Sequence, residues 1–238
     1  MKYDLIVADP PWSFDDKLTM SGVKRGSEAQ YDVLTTANII NLDVDSIASD
    51  GAVLVLWVPS SLLQEGLDCM KAWGFDQTQT FVWVKTKKRE NIFKQVKKDI
   101  KMAMKLVFED RSYQDSAAFK EIVKPLGILD SFDLNQSLGF FMGRLFRQTH
   151  EIALVGKRGK VYDKLENKAQ RSVLFDINLK HSAKPEGLQE RLEKMFPGAN
   201  KLELFARRVR SGWECVGLEC PSSMGEDIRD SITRLEKL

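Results

Sequence analysis

The sequence predicts an α/β protein with a mostly parallel central sheet, and three observations carry that reading. Ala52-Val53-Leu54-Val55-Leu56-Trp57-Val58 is an unbroken apolar run, the pattern of an interior strand covered on both faces. Short apolar runs alternate with helix-like segments through the first 84 residues, a βαβα order that builds parallel sheets. Punctuation falls between them: Pro59-Ser60-Ser61 opens a helical stretch that Gly74 stops, as N-terminal and C-terminal helix signals do.

Taken in order, Leu5 to Ala8 is the first strand, followed by a polar, Gly-containing loop from Ser13 to about Tyr31. Thr35-Thr36-Ala37-Asn38 opens a short helix around Ile39 to Ile47, and Asp50-Gly51 turns the chain into the Ala52–Val58 strand. A helix through Trp73 and a strand at Thr80 to Val84 follow. From Lys85 to about Gly139 the rhythm breaks into basic helical stretches, interrupted near Asp110 to Asp115 and again at Pro125-Leu126-Gly127. That region reads as an insertion, at about 86–140, on a single domain covering 1–238. The sheet resumes at Glu151 to Val155, with Val173-Leu174-Phe175 as a short edge strand. Pro185 to Phe196 is a helix with Pro near its start and Gly198 past its end. Lys201 to Phe205 and Trp213 to Gly217 are the last strands, and a charged amphipathic helix from Gly225 to Leu238 is expected to pack outside.

The 238 residues, 43% hydrophobic and 29% charged, suit one sizeable core. A net charge of +2 hides a local excess: Lys85 to Lys105 holds nine Lys or Arg against Glu90 and Asp99. Cys69, Cys215 and Cys220 form neither a CxxC pair nor a His-partnered ligand set, so they read as buried thiols. No apolar stretch approaches the roughly 20 residues that span a bilayer, and no signal segment precedes the first strand, so a reducing, cytoplasmic setting is expected. Neither a dinucleotide fingerprint nor a P-loop is present, which disfavours phosphate-rich cofactors. With only His150 and His181, and no Gly-x-Ser-x-Gly elbow, hydrolase triads lack support.

What remains is Asp9-Pro10-Pro11-Trp12, placed where the first strand ends. Alone, it reads equally well as a plain loop whose Trp12 anchors the core. Its chemistry also suits a planar amine: two prolines remove backbone donors, and a carboxylate with a proline carbonyl can accept both hydrogens of an NH₂ group. Its position at the carboxyl edge of an α/β sheet favours the second reading.

Asp9-Pro10-Pro11-Trp12, followed by His181-Ser182-Ala183-Lys184-Pro185 and Lys201-Leu202-Glu203-Leu204-Phe205-Ala206-Arg207, resembles the MT-A-type adenine-N6 methyltransferases. Trp57, Phe81 to Thr86, Gly143 to Gly159 and Gly212-Trp213 to Glu219 extend the likeness over most of the chain outside the insertion. The resemblance implies a Rossmann-like fold that uses S-adenosyl-L-methionine, with permuted motif order. It implies methyl transfer to adenine N6, in DNA rather than RNA by likeness to compact bacterial and phage members, in a bacterial or phage-infected host cytoplasm. It also implies a nucleic-acid partner and leaves a homodimer or heterodimer open.

Carried over residue by residue, the resemblance makes Asp9, Pro10, Pro11 and Trp12 catalytic, with Phe14 or Tyr31 helping to hold the base. Asp9, His150, His181, Lys184, Glu203, Arg207, Arg208, Leu218 and Glu219 fall at cofactor positions. Leu218 departs from the family pattern and could contribute only through its backbone. Lys85, Lys94, Lys97 and Lys98 of the basic insertion suit binding to phosphates, although a solubilising helix face explains them equally well. Lys184-Pro185 could merely begin a helix, and His150 could merely satisfy local hydrogen bonds. Arg207, Arg208 and Arg210 read either as a solvated face or as ligand-binding groups, with their place after a strand favouring the ligand. Trp57 and Trp83 read as core.

Overall fold

The computed structural model describes residues 1–13, 34–88, 137–143, 145–178 and 183–238. Its elements run β1 (Tyr3–Ala8), α1 (Thr36–Ile40), β2 (Ala48–Val58), α2 (Leu63–Ala72), β3 (Asp76–Thr86), β4 (His150–Arg158), β5 (Val173–Ile177), α3 (Gly187–Met195), β6 (Lys201–Leu204), β7 (Glu214–Val216) and α4 (Ile228–Glu236). The strands form one seven-stranded sheet in the order β5-β3-β4-β2-β1-β6-β7. β1 pairs parallel with β2 and β6, and β6 pairs parallel with β7, whereas β2 and β4 are antiparallel. The sheet is therefore mixed, with its parallel part around β1.

Side-chain alternation sorts these strands onto two cores. Ile6 and Ala8 of β1, with Leu54, Leu56 and Val58 of β2, face one apolar cluster, while Leu5, Val7, Val53, Val55 and Trp57 face the other. Residues i and i+2 share a sheet face, so both faces are covered and the strands read as continuous apolar runs. α2 adds Cys69 and Met70 to the first cluster, and α3 adds Leu188 and Leu192 to the second. α4 differs from expectation: Ile228, Ile232 and Leu235 are at most 6% exposed and belong to the first cluster. Its charged face is solvated, but its other face is core.

Several boundaries also move. β2 begins at Ala48 rather than Ala52, and β3 at Asp76 rather than Thr80. The helix expected over Ile39 to Ile47 becomes α1 plus a separate 3₁₀ turn at Asp45–Ile47. Thr35 caps α1, its hydroxyl accepting from the Asn38 N–H at 3.2 Å. Trp12, Trp57, Trp73, Trp83 and Trp213 are all buried, and Trp57 meets Phe81 and Trp83 edge-on with ring centres 6.1 and 6.5 Å away. All three cysteines are free and buried; burial pushes the Cys69 thiol up to about 12 and Cys215 up to about 11, which leaves both unreactive.

The chain divides into two compact units. The first comprises Met1–Trp83, Glu151–Leu174 and Glu186–Leu238, and the second Val84–His150 and Phe175–Pro185. The second unit contains the expected insertion and adds a short later segment to it. Within it, Thr86 bridges Leu138 and Phe141 bridges Gln148. No helix among the described residues is long and apolar enough to cross a membrane.

Candidate active site

Strand register decides which loops meet. Ala8 ends β1 opposite Leu56 of β2 and Leu204 of β6, and Leu204 in turn pairs with Val216 of β7. These four strands run parallel, so the residues just beyond β1, β6 and β7 emerge together at the carboxyl edge. The chain leaves β1 for β2 on one side, and β6 lies on the other, which makes the end of β1 a switch point where ligands bind in open α/β sheets.

A cleft of about 200 Å³ lies there, lined by Asp9 and Pro11 after β1, Leu34, Phe205 to Arg207 after β6, Leu218 and Glu219 after β7, and Glu226 to Ile228 before α4. A larger cavity of about 530 Å³ sits at the opposite edge of the same unit, among Lys2, Asp45, Ser46, Ala48, Ser49, Asp50 and Arg158. Arg158 there pairs with Asp45, and the Lys2 ammonium donates to the Ser46 carbonyl. Ala48 is its single apolar lining residue and no strand carboxyl end opens into it, so the smaller cleft is the better ligand site.

The Asp9–Trp12 turn is held from behind. The Trp12 N–H donates to the Pro10 carbonyl at 2.9 Å, and its indole Nε1–H donates to the Trp57 carbonyl at the same distance. The indole is 4% exposed, and Trp12 bridges Leu34. It therefore fixes the turn from inside the core, where the resemblance implied a base-holding side chain. Pro10 O keeps a second lone pair beyond its bond to Trp12.

The β6 and β7 ends are equally constrained. Phe205 has φ 62°, a left-handed conformation that costs a bulky residue about 1–2 kcal/mol. This bend lets the Ala206 N–H donate to the Val216 carbonyl at 2.9 Å. A Cβ on Gly217 would stand 2.3 Å from the Ala206 carbonyl oxygen, so only glycine fits. Buried Ser223 accepts from the Gly217 N–H at 2.9 Å and donates to its carbonyl at 3.0 Å, pinning the loop that carries Leu218 and Glu219.

The charges in this region divide sharply. Arg207 lines the cleft, with its Nε 4.0 Å from Glu219. Arg208 and Arg210 both pair with Glu186, and Arg210 also reaches Glu193 at 2.6 Å, which holds the Trp213 indole N–H at 2.7 Å. These two arginines brace the scaffold. Glu203, on β6, accepts from Gln189 at 3.2 Å. Burial raises its pKa, and the charges of Asp9 and Glu186 push the same way against the Gln189 hydrogen bond and Arg208.

Of the expected cofactor residues, the cleft gathers Asp9, Arg207, Leu218 and Glu219. Glu203 and Arg208 belong to the same unit but do not line it. His150 and Lys184 belong to the second unit, and the His150 carbonyl accepts from Gln148 at 2.7 Å. Lys85, expected to meet phosphate, is only 9% exposed, and its ammonium lies 5.0 Å from the centre of the Phe141 ring. Phe14, Tyr31, Lys94, Lys97, Lys98 and His181 lie outside the described residues. Sequence reasoning missed Leu34, Phe205 and Glu226–Ile228 as cleft residues. Gly225 ahead of Asp227 and the Ile228/Ile232 spacing signal a capped helix start, but nothing local signals its proximity to β1.

The MT-A70 family model matches residues 3–109 and 136–219. The chain belongs to the MT-A70 family. Its seven-stranded sheet with flanking helices is the Rossmann-like α/β fold of a methyltransferase. It is 26% identical over 237 residues to the type II methyltransferase M.MunI of Mycoplasma sp, covering 93% of this chain and 79% of that one. It is 21% identical over 218 residues to the human N(6)-adenosine-methyltransferase catalytic subunit METTL3, covering 91% of this chain and 28% of that one. A 90-residue stretch is 37% identical to the N6-adenosine-methyltransferase non-catalytic subunit MTB of Arabidopsis thaliana, covering 37% of this chain and 11% of that one. The chain thus spans about a quarter of the length of METTL3 and a smaller part of MTB.

Proposed function

We propose that this MT-A70 chain transfers a methyl group from S-adenosyl-L-methionine to the N6 amino group of adenine in DNA. The observation that carries the reading is the convergence of Asp9 with Arg207 and Glu219 in one cleft at the switch point of the sheet. The donor set fits this cofactor. Arg207 suits a carboxylate, Asp9 an ammonium, Glu219 a pair of ribose hydroxyls, and Phe205 with Leu34 and Ile228 an apolar ring. When bound, the cofactor supplies an electrophilic methyl on a sulfonium sulfur.

The protein's part is orientation. Asp9 and the spare lone pair of Pro10 O accept the two hydrogens of the target amine, turning the nitrogen lone pair away from the ring and toward the methyl. The Trp12 hydrogen bonds keep that pair of acceptors rigid, so little reorganisation remains for the reacting complex. Asp9 also stabilises positive charge as it grows on nitrogen, and needs no unusual basicity because the amine proton turns acidic as the bond forms. A target within a duplex has to be flipped out of its stack.

DNA is favoured because the likeness to M.MunI covers most of that protein, whereas METTL3 is matched over about a quarter of its length. A second reading, a catalytically silent nucleic-acid-binding subunit, draws on the local likeness to MTB, but the intact Asp9-Pro10-Pro11-Trp12 turn opposes it. The test is transfer of a labelled methyl group to DNA and RNA oligonucleotides by wild type and Asp9→Ala. Labelling of DNA adenine, falling by ~10²–10⁴-fold in the variant, is the expected result. Labelling of RNA alone overturns the substrate, and cofactor binding without labelling of either polymer favours the silent subunit.

A further inference from the structure

Four stretches of chain meet in the cleft, and those after β1, β6 and β7 supply the groups assigned to the methyl donor. The fourth, Glu226 to Ile228, lines the same cavity. The Leu218 carbonyl accepts from the Gly225 N–H at 2.9 Å, so this stretch is tied directly to the loop carrying Glu219.

The polar groups of the stretch are unequally used. Both oxygens of Glu226 are held by Arg234, at 3.2 and 3.0 Å, and Oε2 also accepts from Ser231 at 2.6 Å. Asp227 Oδ1 accepts from the Arg229 N–H at 2.9 Å and from its Nε at 2.8 Å. Among the described residues, Asp227 Oδ2 accepts only from Arg229 Nη2, at 2.6 Å, and a carboxylate oxygen has two acceptor sites. The next backbone N–H, that of Ile228, meets no acceptor among the described residues. The Ile228 side chain is 6% exposed, and Leu34 and Phe205 line the cleft with it.

Asp227 and Ile228 therefore present, one residue apart, a group that only accepts and a group that only donates, beside an apolar surface. The six-membered edge of adenine is the complement: an exocyclic amine that donates, adjacent to a ring nitrogen that accepts. We infer that this stretch binds the adenine of the cofactor, Asp227 accepting from its 6-amino group and the Ile228 N–H donating to its neighbouring ring nitrogen. The inference rests on the proposed cofactor. The cavity, shared with Asp9, Arg207 and Glu219, is what places the pair in a ligand site. A 6-oxo purine reverses both polarities and would set a carbonyl oxygen against the carboxylate. The Arg229 guanidinium beside Asp227 holds its carboxyl down to about 2, so the acceptor stays ionised at neutral pH.

The test compares equilibrium binding of S-adenosyl-L-homocysteine and S-inosyl-L-homocysteine to the full chain by calorimetry, for wild type and Asp227→Asn. Asn retains helix capping ability, and its amide can turn either end toward the purine. Wild type is expected to prefer the 6-amino compound by at least about 10-fold, as sites built on buried hydrogen bonds do. In Asp227→Asn the preference should shrink to about 3-fold or less. A full preference in the variant, or equal binding of both compounds by wild type, overturns the assignment while leaving the cofactor reading intact. Wild type that binds neither compound overturns both. If Asp227→Asn does not fold, the wild-type comparison alone decides.

Discussion

Trp12 shows how one side chain can serve a site from behind it. The local sequence leaves its role open between core anchor and base support, because a tryptophan after two prolines fits either. The choice rests on a partner 45 residues away, the Trp57 carbonyl, which no local pattern contains. Trp12→Phe should keep the packing and lose the indole bond, costing about 1–2 kcal/mol in urea unfolding, with methyl transfer falling further than cofactor affinity. Equal losses in both would mean that the indole does not position the turn. Glu203 makes the complementary case. Its folded pKa is raised, so the stability it contributes is present below the ordinary carboxylate range and lost as pH rises through the folded value. Glu203→Gln removes that loss and can donate to the Gln189 Oε1, which is buried without a partner among the described residues. Its melting temperature should exceed wild type by a few degrees at about pH 8 and match it near pH ~4; a variant less stable at both would sink the argument.

At the scale of elements, legibility follows burial pattern. β1 and the apolar half of β2 are readable because both faces are covered and no polar residue interrupts them. The first residues of β3, Asp76 to Thr80, are exposed, so their extended conformation leaves no hydrophobic trace. The amino end of β2 runs through Ser49-Asp50-Gly51, which reads as a turn; Gly51 is there because a Cβ would lie 2.3 Å from the Lys160 carbonyl oxygen. α4 is legible as a helix but not in its placement, its charges outweighing the Ile228, Ile232, Leu235 spacing that lies on one helical face. Because that face is core, Leu235→Ala should cost about 2–5 kcal/mol, read by chemical denaturation. A cost below about 0.5 kcal/mol would restore the external packing. The cleft is half legible: Asp9, Arg207 and Glu219 belong to motifs, whereas Asp227 reaches it only because α4 folds back into the core.

For the whole molecule, charge and structure divide differently. The basic run that suggests nucleic-acid binding lies almost wholly outside the described residues, so its prediction comes from charge alone. Reversing Lys94, Lys97 and Lys98 to Glu should weaken DNA binding and flatten its dependence on salt, by about 0.9 in logarithmic slope for each duplex phosphate no longer neutralised. Binding with an unchanged slope would return these lysines to a solubilising role.

The five buried tryptophans, Trp12, Trp57, Trp73, Trp83 and Trp213, all fall in the first unit. Intrinsic fluorescence is therefore an optical label for that unit, written into the chain without any dye. Far-ultraviolet circular dichroism sums the backbone of both units. Melting followed by the two signals in one cuvette compares the units directly: coincident curves mean a single cooperative transition, and any separation dates the collapse of the part that carries the cleft.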